Sequence, residues 1–167
     1  VRAMMKMKQE SPYIANPKRL ADLIAAIQVL GSYRFASRKL DKWTKRLGRT
    51  PVSADSWLTV FKEHPEFFTF DKENISLVWR RSRERNYDTF QRKLLTREDA
   101  LELSKVEKEI NEIRLSRPPL DTMEISKLVD IAINLHEREI KHAQERRWWI
   151  TAVLALVGLI ISVGVGG

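Results

Sequence analysis

The stretch FFTFDKENISLVW (67–79) decides how this chain is read. Phe68 and Phe70 alternate with other residues, and Ile75, Leu77 and Trp79 alternate back after the polar run 71–74. Two runs of period two around a polar turn predict a β-hairpin with one buried face. Upstream, Ser53 is placed to cap a helix that carries Trp57, Val60 and Phe61 on one face and ends at Pro65. GRTPV (48–52) is a turn before it. Ser37 is placed to cap another helix, with Leu40, Trp43 and Leu47 inward and Gly48 as its stop. SYRFA (32–36) reads as a short extended stretch. Asn16-Pro17 joins an N-cap to a proline at the first helical position. Leu20, Leu23, Ile24, Ile27 and Leu30 then recur at helical spacing up to Gly31, a candidate C-cap.

Helix, short strand, helix, turn, helix, hairpin: this order, over residues 14–81, resembles a winged helix-turn-helix domain. The resemblance rests on element order and spacing. It makes Trp43, Trp57, Phe61, Phe68 and Trp79 core residues. In DNA-binding members of that superfamily the third helix enters the major groove and the wing is basic. Here the third helix, Ser53–His64, sets Asp55 and Glu63 against Lys62, and the wing tip sets Asp71 and Glu73 against Lys72. Phosphate repels both elements, which disfavours nucleic acid and favours a protein partner.

The 167 residues carry a formal net charge of +8 and no cysteine. That length allows one compact domain with appendages, and it excludes neither a tether nor a linker. Without cysteine there is no disulfide framework and no thiolate metal site. Residues 1–95 carry a net +10 and residues 96–145 a net −4, so the two parts offer different surfaces. VRAMMKMK (1–8) is basic but lacks the apolar core of a signal peptide. Residues 1–13 are expected to be a disordered start, with Val1 a literal reading of an alternative bacterial start codon.

The positive charge of the first half falls in two groups. Arg38, Lys42, Lys45 and Arg49 form one helical stripe, with Lys39 and Arg46 beside it. Arg80, Arg81, Arg83 and Arg85 follow the hairpin. Both are expected to be basic surface that meets anionic lipid, an acidic partner or a nucleic-acid backbone.

Residues 82–120 read as a linker with short acidic helices, one opened by a Ser104–Glu107 capping box and stopped by Pro118-Pro119. Asp121 and Glu124 then cap an amphipathic stalk helix over 121–147. Its broad apolar face, including Ile125, Leu128, Ala132 and Leu135, packs on the body of the chain or on a second copy, making a homo-oligomer one expectation. Residues 148–167 read as a transmembrane anchor. Eighteen apolar residues span about 27 Å, close to a hydrocarbon core of roughly 30 Å. Trp148 and Trp149 suit the membrane interface, and Arg146 and Arg147 its cytoplasmic side. Gly158, Ser162 and Gly166 fall four apart, a spacing that lets helices approach in a bilayer. The expected location is therefore the inner membrane, single-pass, with the N-terminal bulk cytoplasmic.

Catalytic chemistry finds little support. Only Gly31 and Gly48 lie outside the tail, so no phosphate-cradling loop is possible. The three histidines, His64, His136 and His142, form no metal or nucleophile motif. YIANPKRLADLIAAIQ (13–28), EHPEFF (63–68), SLVWRR (76–81) and RRWW (146–149) resemble small bacterial membrane proteins, some of which carry the label N-carbamoyl-amino-acid hydrolase. That activity implies a two-metal site rich in His, Asp and Glu. No such motif occurs, so no site residue carries over. No cofactor, metal, catalytic residue or small-molecule substrate is assigned. The whole is expected to be mainly α with a small β-hairpin: a winged-helix domain, short helices, and a long stalk running into one C-terminal transmembrane helix. Its expected role is a membrane-tethered cytoplasmic adaptor binding lipid and protein, with an anchored DNA-binding regulator and a hydrolase as alternatives.

Overall fold

The computed structural model describes residues 11–110 and 113–164, without the side chains of 108–110 and 152–164. Helices α1 (Pro12–Ala15) and α2 (Arg19–Ser32) lead into strand β1 (Ser37–Lys39), helix α3 (Leu40–Leu47) and helix α4 (Trp57–Glu63). Strands β2 (Phe68–Asp71) and β3 (Asn74–Leu77) form the hairpin, turning at Lys72 with φ 55°. Register pairs Phe68 with Leu77 and Phe70 with Ile75, and β1 adds antiparallel to β3, giving the order β1-β3-β2. One turn of helix, α5 (Val78–Arg81), follows. A second antiparallel sheet, in the order β5-β4-β6, is built from β4 (Tyr87–Asp88), β5 (Lys93–Leu94) and β6 (Leu115–Ser116), with α6 (Arg97–Ile110) between the last two. Helix α7 runs from Thr122 to Gly164.

The core forms where α2 meets everything else. Leu23, Ala26, Ile27 and Leu30 are fully buried against Trp43, Trp57, Val60, Phe61, Phe68, Ile75 and Leu77. Leu128 and Ala132 of α7 close the other side. Full burial of side chains of this size stabilises by about 1.5–3 kcal/mol each before entropy is counted. The two inner tryptophans find partners for their N–H groups, Trp43 on the Ile75 carbonyl (2.9 Å) and Trp57 on the Arg49 carbonyl (2.6 Å). A polar network lies beside this apolar core. Asp22 accepts from the Ser53 backbone N–H (2.8 Å) and hydroxyl (2.7 Å) and pairs with Arg49 (3.0 Å). Arg19 donates to Ser53 Oγ (2.9 Å) and pairs with Glu63.

Several expectations need correction. The fold is mixed α/β with two small sheets, not mainly α with one hairpin. The segment expected as a linker, 82–120, contains the whole second sheet and α6. The second sheet escapes a periodicity reading because its strands are only two residues long. Residues 11–13 belong to an ordered turn with Tyr13 buried, whereas 1–10 lie outside the described residues. Residues 37–39 are strand, so Ser37 caps nothing and α3 starts at Leu40. Ser56, not Ser53, caps α4 by accepting from the Thr59 N–H. Gly31 lies inside α2, where a Cβ would come within 3.1 Å of Ile125 Cγ1; the glycine lets α7 approach. Gly48 does close α3, at φ 72°. Trp79 is exposed on α5 rather than in the core. Ser104 sits within α6, which is capped by Thr96 accepting from the Asp99 N–H (3.2 Å).

The membrane anchor is also corrected. Among the described residues no helix is long and apolar enough to cross a membrane. The helix that carries the apolar run is a continuation of the charged stalk, with Arg146 and Arg147 only one turn before Thr151. A single-pass, tail-anchored placement in the inner membrane is therefore not supported, and the interface roles given to Arg146, Arg147, Trp148 and Trp149 fall with it. These four residues are exposed on α7. The contact expected of Gly158, Ser162 and Gly166 lies outside the described side chains.

Candidate functional site

The end of α2, the helix α3 and the second sheet enclose an open cleft of about 460 Å³, lined by Ser32, Tyr33, Arg34, Arg46, Tyr87, Arg92 and Pro119. Each element delivers its residues for a local reason. Helix α2 stops at Ser32, whose hydroxyl caps the Gln28 carbonyl (2.8 Å), and the chain leaves extended through Tyr33 and Arg34. Helix α3 buries Trp43, which sends Arg46, three residues on, to the neighbouring outer face. The β4–β5 turn places Arg92 at φ 55°, a left-handed position immediately before β5.

No carboxylate among the described residues lines this cleft. Among the described residues Arg34, Arg38, Arg46 and Arg92 enter no ion pair. Three of them are instead held by aromatic faces. Arg46 stands 4.7 Å from the Tyr33 ring centre, Arg34 5.1 Å from Phe35, and Arg38 4.7 Å from Phe35 and 5.6 Å from Tyr33. Arg38 also donates to the Tyr33 hydroxyl (3.3 Å), and Trp43 meets Tyr33 edge-on at 5.8 Å. Contacts of this kind contribute about 0.5–1 kcal/mol at exposed sites, and Arg34 also donates to the Thr89 carbonyl (3.4 Å). The result is a set of positioned, unneutralised cations around a concave space.

The other expected basic residues are placed differently. Lys42 and Lys45 are exposed on α3, beside Arg46. Lys39 pairs with Glu73 across the sheet (2.5 Å), and Arg49 is turned to the buried Asp22. Arg81 pairs with Asp71 (3.0 Å), Arg83 with Glu124, and Arg85 with Glu107 (3.0 Å). Arg80 is the clearest correction, because it is fully buried. Its guanidinium donates to the carbonyls of Leu30 (2.8 Å), Tyr33 (2.6 Å), Phe35 (3.2 Å), Arg117 (2.7 Å) and Pro118 (3.2 Å). Leu30 is in the last turn of α2, where the helix dipole is negative, so backbone carbonyls stand in for a counter-ion. Burial pulls its pKa down to about 10, which still leaves it charged at neutral pH. Arg80 thus ties the chain just behind the cleft into place and takes no part in its surface.

A second titratable cluster joins two buried rings to the solvent-exposed Glu66. His64 is fully buried with Nδ1 3.0 Å from Glu66 Oε1, the same oxygen that accepts from the Tyr13 hydroxyl (2.6 Å). Burial pushes Glu66 up, but the hydrogen bonds from His64 and Tyr13 outweigh it and hold its pKa below the usual range. Burial, and then Glu66, raise the Tyr13 hydroxyl. No group of three His, Cys, Asp or Glu among the described residues could hold a metal ion.

Sequence reasoning found Arg38 and Arg46 but missed Arg34, Arg92, Tyr33 and Tyr87. Arg34 was hidden in a stretch read only as extended, and Arg92 in one read as linker. The signal was the spacing of arginine and tyrosine in SYRFASR (32–38), where ring and cation fall close enough to stack. Set against known proteins, the chain matches no family model, no curated protein and no solved structure.

Proposed function

We propose that this chain is an adaptor with a mixed α/β body, receiving an acidic segment of a partner protein in the Arg34–Arg46–Arg92 cleft. The observation that carries this reading is a concave, carboxylate-free lining with three arginines outside any ion pair among the described residues. Charge-assisted hydrogen bonds from such groups are the strong ones, and a planar fork suits a carboxylate. A protein partner is favoured over duplex DNA by how the other elements are used. Helix α4, which would occupy the groove, buries Trp57, Val60 and Phe61 and pairs its Glu63 with Arg19. At the hairpin tip Asp71 and Glu73 are already engaged by Arg81 and Lys39.

The test is calorimetric titration with a Glu-rich peptide and with a short DNA duplex at about 0.15 M salt, where charges farther apart than about 8 Å are largely screened. The peptide is expected to bind saturably, and the variant Arg34→Ala, Arg46→Ala, Arg92→Ala to lose that binding. Tighter binding of the duplex, or peptide binding that survives all three substitutions, would refute the reading.

A further inference from the structure

We propose a second binding site, for a phosphate group, in the cleft where the two sheets meet. Residues of β3 alternate: Ile75 and Leu77 enter the core, and Ser76 faces the other way. Ser76 is 3% exposed, and its hydroxyl has no hydrogen-bond partner among the described residues. A buried hydroxyl without a partner costs about 1–3 kcal/mol, so its persistence calls for an explanation. It lines a cavity of about 290 Å³ shared with the edge of the second sheet. The two sheets are joined at this edge, where the Ala36 N–H donates to Ser116 Oγ (2.9 Å).

Arg81, Arg85 and Arg117 converge on the same cavity. Asp71 is the one carboxylate in its lining among the described residues, and it pairs with Arg81 at 3.0 Å. Arg85 uses its other edge on Glu107 (3.0 Å) and on the Leu115 carbonyl (3.1 Å). Arg117 donates through Nε to the Arg83 carbonyl (2.9 Å), and its terminal nitrogens meet no acceptor among the described residues. Among the described residues three cations therefore share two carboxylates. Burial, and after it the neighbouring Arg81 and Arg85, lower the pKa of Arg117, as expected of a cation held among cations. The free guanidinium N–H groups, with the Ser37 and Ser76 hydroxyls and the Asn74 amide, exceed what the two oxygens of a carboxylate can accept. A phosphoryl group, with three terminal oxygens pointing in different directions, accepts them from several sides. The volume is at the lower end for ligand pockets, which suits free phosphate or a small phosphate monoester.

The experiment is an amide chemical-shift titration of the full chain with orthophosphate, with glycerol 3-phosphate, and with acetate at matched ionic strength. Both phosphate probes are expected to shift the amides of Asn74, Ser76 and Ser116 saturably, and acetate is not. A tighter curve for the ester identifies a phosphorylated small molecule as the source, and a tighter curve for orthophosphate identifies the free ion. Ser76→Ala breaks no existing hydrogen bond, so it should keep the unliganded melting temperature and weaken phosphate about tenfold; Arg117→Gln should weaken it at least as much. Because Arg117 also holds the Arg83 carbonyl, Ser76→Ala decides the matter if the arginine variant fails to fold. Equal response to acetate, or phosphate binding unchanged in Ser76→Ala, overturns the proposal. The Arg34–Arg46–Arg92 variant leaves this cavity's lining intact, so the two sites stand or fall separately.

Discussion

Replacing Arg80 tests whether backbone carbonyls can stand in for a counter-ion at a buried guanidinium. Its guanidinium serves five carbonyls from two distant segments, Leu30 to Phe35 and Arg117 to Pro118. Arg80→Met keeps comparable bulk and removes every donor. Hydrogen bonds to a charged group contribute about 1.5–3 kcal/mol each, but the sum overstates the loss because the folded state no longer has to bury a charge. Breaking a buried charged network of this kind costs about 3–5 kcal/mol. With a urea m-value of about 2 kcal/mol/M, the midpoint should fall by roughly 2 M at unchanged slope. Arg80→Lys should fall between, because an ammonium is a point donor that cannot span both sets of carbonyls. Arg92→Ala, exposed at the β4–β5 turn, is the control and should stay within about 0.5 kcal/mol of the parent. Urea unfolding followed by far-UV circular dichroism reads all three. If Arg80→Met loses less than about 1 kcal/mol, the backbone carbonyls are not what the arginine holds, and the reasoning fails.

Two further predictions concern the second sheet and α7. The Arg114 fork holds the Asp88 carboxyl at about 2 despite burial, with help from the amides of Gln91 and Phe90. A depressed carboxyl stabilises fully above its ordinary value of 3.8, and that stability disappears as pH falls toward 2. The contribution is about 1–2 kcal/mol, and Asp88→Asn should flatten the stability profile over that window in thermal melts. Leu128→Ala should cost about 2–4 kcal/mol, since the side chain is buried against α2 and leaves a cavity. Met123→Ala, one turn earlier and 74% exposed, should be nearly neutral by the same melts.

The parts of the fold that were legible in the sequence share one property: they repeat locally. The hairpin shows as alternation between Phe68 and Leu77, and the start of α7 as Asp121 and Glu124, whose side chains each accept from the other's backbone N–H (2.8 and 2.9 Å). What was missed has no local period. Strands β4, β5 and β6 are two residues each, too short to show alternation, and β6 reaches β4 only after the whole of α6. Arg80 was read as surface because arginines in a run are usually solvated; only carbonyls from distant segments made its burial possible. The continuous helix through the stalk and the start of the apolar run was legible in the sequence, whereas the membrane span read into it is not supported among the described residues. Of the candidate cleft, the α3 arginine was visible as part of a stripe. Its companions at 34 and 92 come from segments whose proximity is set by the second sheet.

Helix α7 has one more implication, for the order in which the protein is made. The core face formed by Leu23, Ile27 and Leu30 is completed by Leu128 and Ala132, about a hundred residues later in the chain. Tyr13, near the other end of the described residues, also lies against α7, with its ring 6.2 Å from that of His136. A nascent chain leaving the ribosome must therefore carry an open apolar wall until the α7 segment has emerged. Contacts so distant in sequence close slowly, and exposed core of this kind is where chaperones bind. Maturation of this chain should depend on the emergence of α7, with the core elements made before it waiting for it.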